Sequence, residues 1–161
     1  MGKEWNAECD REPGGIVRVP RPQSNARQSH PMKHLSPSDA WAFVQAHPNA
    51  LFVDVRMEIE SMYVGRPPGV QSIPWYEYPD LTPNPAHFVA AVQREASDPS
   101  TPVVLICRSG KRTLDAGKAL EDAGFTDVVN VLHGFEGELD DAFHRSTISG
   151  WRFEGLPWEQ M

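Results

Sequence analysis

Val103-Val104-Leu105-Ile106 is an unbroken apolar run with no polar residue alternating in it. A strand that reads this way is covered on both faces, and a parallel sheet between two layers of helix is the usual cover. The run therefore argues against an antiparallel sheet with one wet face. Leu51 to Val55, Val70 to Ile73 and Val128 to Leu132 are further short runs rich in branched residues, and each reads as a strand. Segments of helical spacing lie between them. Ser36 with Pro37, and Asp39 three residues after Ser36, forms an N-cap, a proline at the first helical position and a variant capping box. That helix carries Ala40, Trp41 and Val44 and stops near His47-Pro48. Met57 to Val64 reads as one short helix. Asn84-Pro85 repeats the cap signal ahead of Phe88, Val89, Val92 and Ala96, and Thr113 to Ala123 is a helix stopped by Gly124. Strands alternating with helices of about ten residues predict an α/β fold built on a parallel sheet.

The chain has 161 residues, suited to one domain, with 40% hydrophobic and 23% charged residues, a globular balance. No apolar run approaches the roughly 18 residues of a membrane span. With 22 acidic and 15 basic residues the net charge is -7, which argues against a general binder of nucleic acid or anionic membranes. Any anion the protein handles must be drawn by a local cationic site. Residues 1–31 are expected to be a flexible tail, rich in proline and polar residues around the small apolar patch Ile16, Val17 and Val19, ahead of a single domain over 32–161. The tail lacks the apolar core of a secretory signal. Glu4, Glu8, Asp10 and Glu12 do not suit an organellar transit peptide, so a cytoplasmic location is expected. The two cysteines, Cys9 and Cys107, are too few for a disulfide scaffold and have no companion ligand cluster at metal spacing, so no metal site is expected.

The chemistry is concentrated in Cys107-Arg108-Ser109-Gly110-Lys111-Arg112-Thr113, directly after the Val103 run and directly before a helix. Ligands of open α/β sheets bind at the carboxyl ends of the strands, and Cys107 is placed at such an end. With Gly110 permitting a tight backbone, the loop can turn successive N–H groups inward as an anion nest at a helix N-terminus. A thiolate there is stabilised by amide dipoles, by the helix field, and by Arg108, Lys111 and Arg112. A lone cysteine at a strand end is more often a small buried hydrophobe, but three cations and a glycine loop are surplus to that role. Cys9, isolated in an acidic tail, is read as incidental.

At these residues the chain resembles the rhodanese family. The resemblance runs through Val53-Asp54-Val55-Arg56, Gly69 to Pro74, the loop from Cys107 to Arg112, Leu132-His133-Gly134-Phe135-Glu136-Gly137, and Gly150-Trp151 with Gly155-Leu156-Pro157-Trp158. It covers about residues 34 to 159. It implies a three-layer fold with a central parallel sheet of about five strands flanked by helices, and a thiosulfate-type sulfurtransferase working through a persulfide on Cys107, chemistry that needs neither metal nor organic cofactor. It also implies that Asp54 helps to position the loop, by pairing with Arg112 or its backbone; the residues alone allow an N-cap for the helix near Met57 instead. Arg56 is placed beside Asp54 as a second supporting residue. The expected partners are small sulfur donors and acceptors, namely thiosulfate, cyanide or thiols. An alternative within the same resemblance is a relay module that passes persulfide sulfur to an acceptor protein.

Four residues separate Cys107 from Arg112, whereas the related cysteine phosphatases and arsenate reductases place five before their arginine. The position such an enzyme would need for arginine is Thr113. The smaller ring suits a persulfide sulfur better than a phosphoryl group. Gly65-Arg66-Pro67-Pro68-Gly69 departs from the Gly-His-Ile-Pro-Gly of many members, so Arg66 is a further cation for the site. Trp75 to Pro83 is an aromatic connector able to wall a pocket or dock a partner, and Trp151 and Trp158 are expected to pin the C-terminal segment.

Overall fold

The computed structural model describes residues 31–160. Nearly all of the expected tail, Cys9 included, lies outside them. Helix α1, Pro37–Ala46, begins as its sequence dictates, with the Ser36 hydroxyl accepting the Asp39 N–H at 3.1 Å. The strand Leu51–Asp54 (β2) follows, then α2 over Glu58–Val64 and the two-residue strand Gln71–Ser72 (β3). Helix α3, Pro85–Glu95, is capped by the Asn84 side chain, which accepts the His87 N–H at 3.1 Å. Val103–Ile106 (β4), helix α4 over Arg112–Asp122 and Val128–Val131 (β5) complete the series.

One strand was not expected. Lys33–Leu35 (β1) pairs in parallel with β5. Three residues with an exposed lysine and histidine carry no periodicity, and the strand is held from outside, by the ladder to β5 and by the Lys33–Asp127 ion pair at 2.8 Å. The five strands run in the order β1-β5-β4-β2-β3, all pairs parallel, so the sheet is the expected central parallel sheet.

Alternation along β4 divides the core in two. Val103 and Leu105 face α3 and α4 and pack with Phe88, Val92, Ala116 and Leu120. Val104 and Ile106 face the opposite layer and pack with Ala40 of α1, Phe135 and Trp151. Both faces of β4 are dry, which is why its sequence does not alternate. The C-terminal segment belongs to the second layer. Trp151 is fully buried between Trp41 and Phe52, its indole N–H donating to the Pro157 carbonyl at 2.8 Å. Trp158 stays partly exposed, edge-on to Phe135. Arg66 does not join the cations of the Cys107 loop: it pairs with Glu159 through side chain and backbone and clasps the chain end. Among the described residues no helix is long and apolar enough to cross a membrane, and no cluster of three or more His, Cys, Asp or Glu is placed to hold a metal ion.

Candidate active site

Cys107 follows the last residue of β4, the middle strand of the sheet, and is 1% exposed. Its Sγ accepts the Gly110 N–H at 3.1 Å, which closes the loop beneath the sulfur, and lies 3.7 Å from Thr113 Oγ1. Gly110 has φ +84, and an added Cβ would meet the His133 nitrogen at 3.0 Å, so glycine is required by both conformation and space. Among the described residues the N–H groups of Arg108, Ser109, Lys111 and Arg112 have no protein acceptor.

The turn after β5 supports this loop from behind. Phe135 N–H donates to the Cys107 carbonyl at 2.7 Å and Glu136 N–H to the Arg108 carbonyl at 2.9 Å. His133 itself is exposed, at φ +62. Gly134, at φ +59, lies so close to the Cys107 carbonyl and Arg108 that a Cβ has no room. Gly134→Ala is therefore expected to displace the loop and lower stability by about 2–4 kcal/mol. Urea unfolding checks this; an unchanged midpoint would show that the turn and loop are not in contact in solution.

The three loop cations have different fates. Arg112 is engaged by Glu60 of α2 in a two-pronged ion pair, Nη1 to Oε2 at 2.7 Å and Nη2 to Oε1 at 2.8 Å, and the Tyr76 ring stacks on its guanidinium at 5.4 Å. Lys111 reaches only Glu138, at 3.8 Å and 76% exposed, an arrangement worth little in water. Arg108 is exposed and has no ion-pair partner among the described residues. Arg112 thus ties the loop to α2, while Arg108 and Lys111 stay exposed to solvent.

Glu60 was not singled out in the sequence, although an acid one turn into a helix beside a cationic loop is a readable signal. Partial burial pushes its carboxyl upward, but the hydrogen bonds and charge of Arg112 and the Met57 N–H outweigh this and hold it below the usual glutamate value. For Arg112 partial burial acts downward and Glu60 overrides it, so the guanidinium stays charged throughout. A carboxyl lowered in the folded state adds stability above its unfolded value and loses it as pH falls through the folded one. Glu60→Gln is expected to lower the melting temperature by about 5 °C at neutral pH. The gap to wild type should narrow as pH falls below the ordinary glutamate value of about 4.3; a gap unchanged in strong acid would mean that packing, not charge, joins α2 to the loop.

Asp54 and Arg56 sit at the end of β2 and are fully buried. Asp54 does not reach Arg112, nor does it cap α2. Its carboxylate takes Arg56 Nε at 2.9 Å and Nη2 at 2.6 Å, the Arg56 N–H at 3.0 Å and the Ser61 hydroxyl at 3.0 Å. Arg56 also donates to the Gly65 carbonyl at 2.8 Å and stacks on Phe135 at 4.5 Å. A buried carboxylate takes the nearest buried cation, which leaves Arg112 to Glu60. The pair joins β2, α2 and the Phe135 turn, so it supports the loop through the turn. The Trp75 to Pro83 connector is divided: Trp75 is core, edge-on to Phe88 at 5.3 Å, Tyr76 touches the site through Arg112, and Tyr78 is exposed.

The rhodanese-like domain model matches residues 36–139, and the chain belongs to that family. A crystal structure of Rv0390 from M. tuberculosis is similar at TM-score 0.70 and 38% identity, covering 80% of this chain and 98% of the other. The polysulfide-sulfur transferase homodimer of Wolinella succinogenes is similar at TM-score 0.56 and 25% identity, over 81% of this chain and 80% of that one. A thiosulfate sulfurtransferase of Pseudomonas aeruginosa reaches TM-score 0.57 and 26% identity over 80% of this chain, but only 20% of its own length is covered. These matches support a role of the sulfurtransferase kind.

Proposed function

We propose that the protein is a sulfurtransferase that moves sulfane sulfur from thiosulfate or a similar donor to a thiophilic acceptor through a persulfide on Cys107. The observation that carries the reading is the sulfur at the carboxyl end of β4, held by the Gly110 N–H inside a short loop whose arginine is already braced by Glu60. The family membership and the similarity to two named sulfur transferases support it.

In the first half-reaction the Cys107 thiolate attacks the outer sulfur of thiosulfate. A bond forms between Sγ and that sulfur, the bond to the sulfonate sulfur breaks, and its electron pair leaves with sulfite. Arg108 and Lys111 draw the dianion and offset the charge gathering on sulfite, and the loop N–H groups receive the persulfide anion. The second sulfur extends the buried thiol by about 2 Å. In the second half-reaction cyanide or a thiolate attacks the outer sulfur and the electron pair returns to Cys107 as thiolate. No oxidant, metal or organic cofactor enters the balance.

Initial rates with thiosulfate and cyanide test the proposal. Parallel double-reciprocal lines with one sulfite released per thiocyanate formed are expected of a ping-pong route. Converging lines would contradict a free persulfide intermediate. Absence of sulfite would remove thiosulfate as donor. The relay reading, in which an acceptor protein takes the sulfur, is favoured by the exposed Ile59, Met62 and Tyr63 on α2, the helix that carries Glu60.

A further inference from the structure

A chain of hydrogen bonds leads from Cys107 through Thr113 and Asn130 to His34 at the protein surface. Thr113 Oγ1, fully buried in the first turn of α4, lies 3.7 Å from Cys107 Sγ and donates to Asn130 Oδ1 at 2.6 Å. Asn130 Nδ2 lies 3.1 Å from Nδ1 of His34, which is exposed. The sheet dictates this meeting. Val129 and Val131 point into the α1 layer, so Asn130 between them points toward α4, and the parallel register sets His34 directly beside it.

A hydroxyl has one proton, so the chain has a direction. With Thr113 donating to Asn130, the Thr113 oxygen can only accept from Cys107, which favours the thiol. The Asn130 amino group then donates to a bare His34 Nδ1. If Nδ1 carries hydrogen instead, it donates to Oδ1, the Asn130 amide turns over, and Nδ2 donates to Thr113. The Thr113 proton is then free to point at Sγ, which favours the anion. Asparagine suits such a reversal because its two ends are alike in size and opposite in hydrogen-bonding sense, and it occupies a buried position on β5 between valines.

We propose that His34 and Asn130 are positioning residues that set the direction of this chain, so that the hydrogen-bonding sense of surface position 34 controls how reactive the Cys107 sulfur is. The inference rests on the proposed function only in taking Cys107 as the reacting atom. The charged groups nearest His34 along its strand and the adjoining one are Lys33 and Asp127, already paired with each other.

The test is the rate of Cys107 alkylation by iodoacetamide in the full chain at pH 7, which reads thiolate whether or not sulfur is transferred. Position 34 is exposed and accepts substitution without disturbing the core. His34→Lys offers only donors to Asn130 and His34→Glu offers only acceptors. The lysine variant is expected to react about threefold to tenfold faster than the glutamate variant, the span of one hydrogen bond gained or lost. The ratio should fall below about twofold when the chain is cut by Asn130→Ala or by Thr113→Val, and it should survive molar salt, which would screen a through-space field. Equal rates, a ratio that persists in the cut variants, or one that salt removes would overturn the proposal. An intact ratio in a protein that transfers no sulfur would overturn the sulfurtransferase reading alone.

Discussion

Cys107→Ser is expected to reduce thiosulfate–cyanide sulfur transfer on the order of a thousandfold or more while leaving the fold unchanged. A serine hydroxyl at neutral pH is a poor nucleophile, and among the described residues no general base stands against this position: the polar groups touching Sγ there are the Gly110 N–H and the Thr113 hydroxyl. The oxygen is smaller than the sulfur and enters the same space without a clash, so the melting temperature should move by no more than a few degrees. The steady-state assay and a melting curve on the same sample separate the two effects. Residual transfer of a few per cent of wild type would mean that another group carries the sulfur, and the role given to the loop would be wrong.

Arg56→Met is expected to be strongly destabilising although it lies outside the Cys107 loop. It leaves the Asp54 carboxylate fully buried with only the Ser61 hydroxyl and the residue 56 N–H for company. Breaking one side of a buried ion pair costs about 3–5 kcal/mol, a fall in melting temperature on the order of 10 °C. The double variant Asp54→Leu with Arg56→Met should recover much of that loss, because removing both charges removes the cost of burying one alone. Thermal unfolding of the single and double variants decides it. A single variant that loses under about 1 kcal/mol would show the pair to be idle. Because Arg56 lies against Phe135, whose N–H holds the Cys107 carbonyl, activity in the single variant should fall further than stability alone requires.

The legible parts of this molecule are those where a local cause decides. The Ser36-Pro37 and Asn84-Pro85 starts, the uninterrupted β4 and the glycine loop after Cys107 are written in consecutive residues, and helices, strand and loop stand where those residues require. The resemblance supplied the strand count and the order of motifs. What stayed hidden depends on partners distant along the chain. β1 is a strand because β5 lies beside it, and nothing in Lys-His-Leu announces that. Asp54 and Arg112 are both charged and both near the loop, so their pairing was a reasonable expectation. Only the depth of Asp54 beside Arg56, and the reach of Glu60 from α2, decide who pairs with whom. Arg66 was counted with the loop cations for the same reason, and the clasp to Glu159, 93 residues away, could not be seen before folding.

The proposed division of labour among the cations follows from that placement. A fully free Arg112 would attract anions strongly but leave the loop unbraced; its pairing with Glu60 holds the Cys107 loop to α2, and the proposed function gives recognition to Arg108 and Lys111. Recognition by two exposed cations is weak in water and sensitive to salt, so a rise in apparent thiosulfate affinity at low ionic strength belongs to the same account.

The most direct test of the persulfide is the intact mass of the purified protein after thiosulfate, with and without later cyanide. The account predicts a gain of one sulfur atom that maps to Cys107, disappears on adding cyanide and does not form in Cys107→Ser. No gain on a demonstrably reduced Cys107, or a gain that persists in the serine variant, would contradict it.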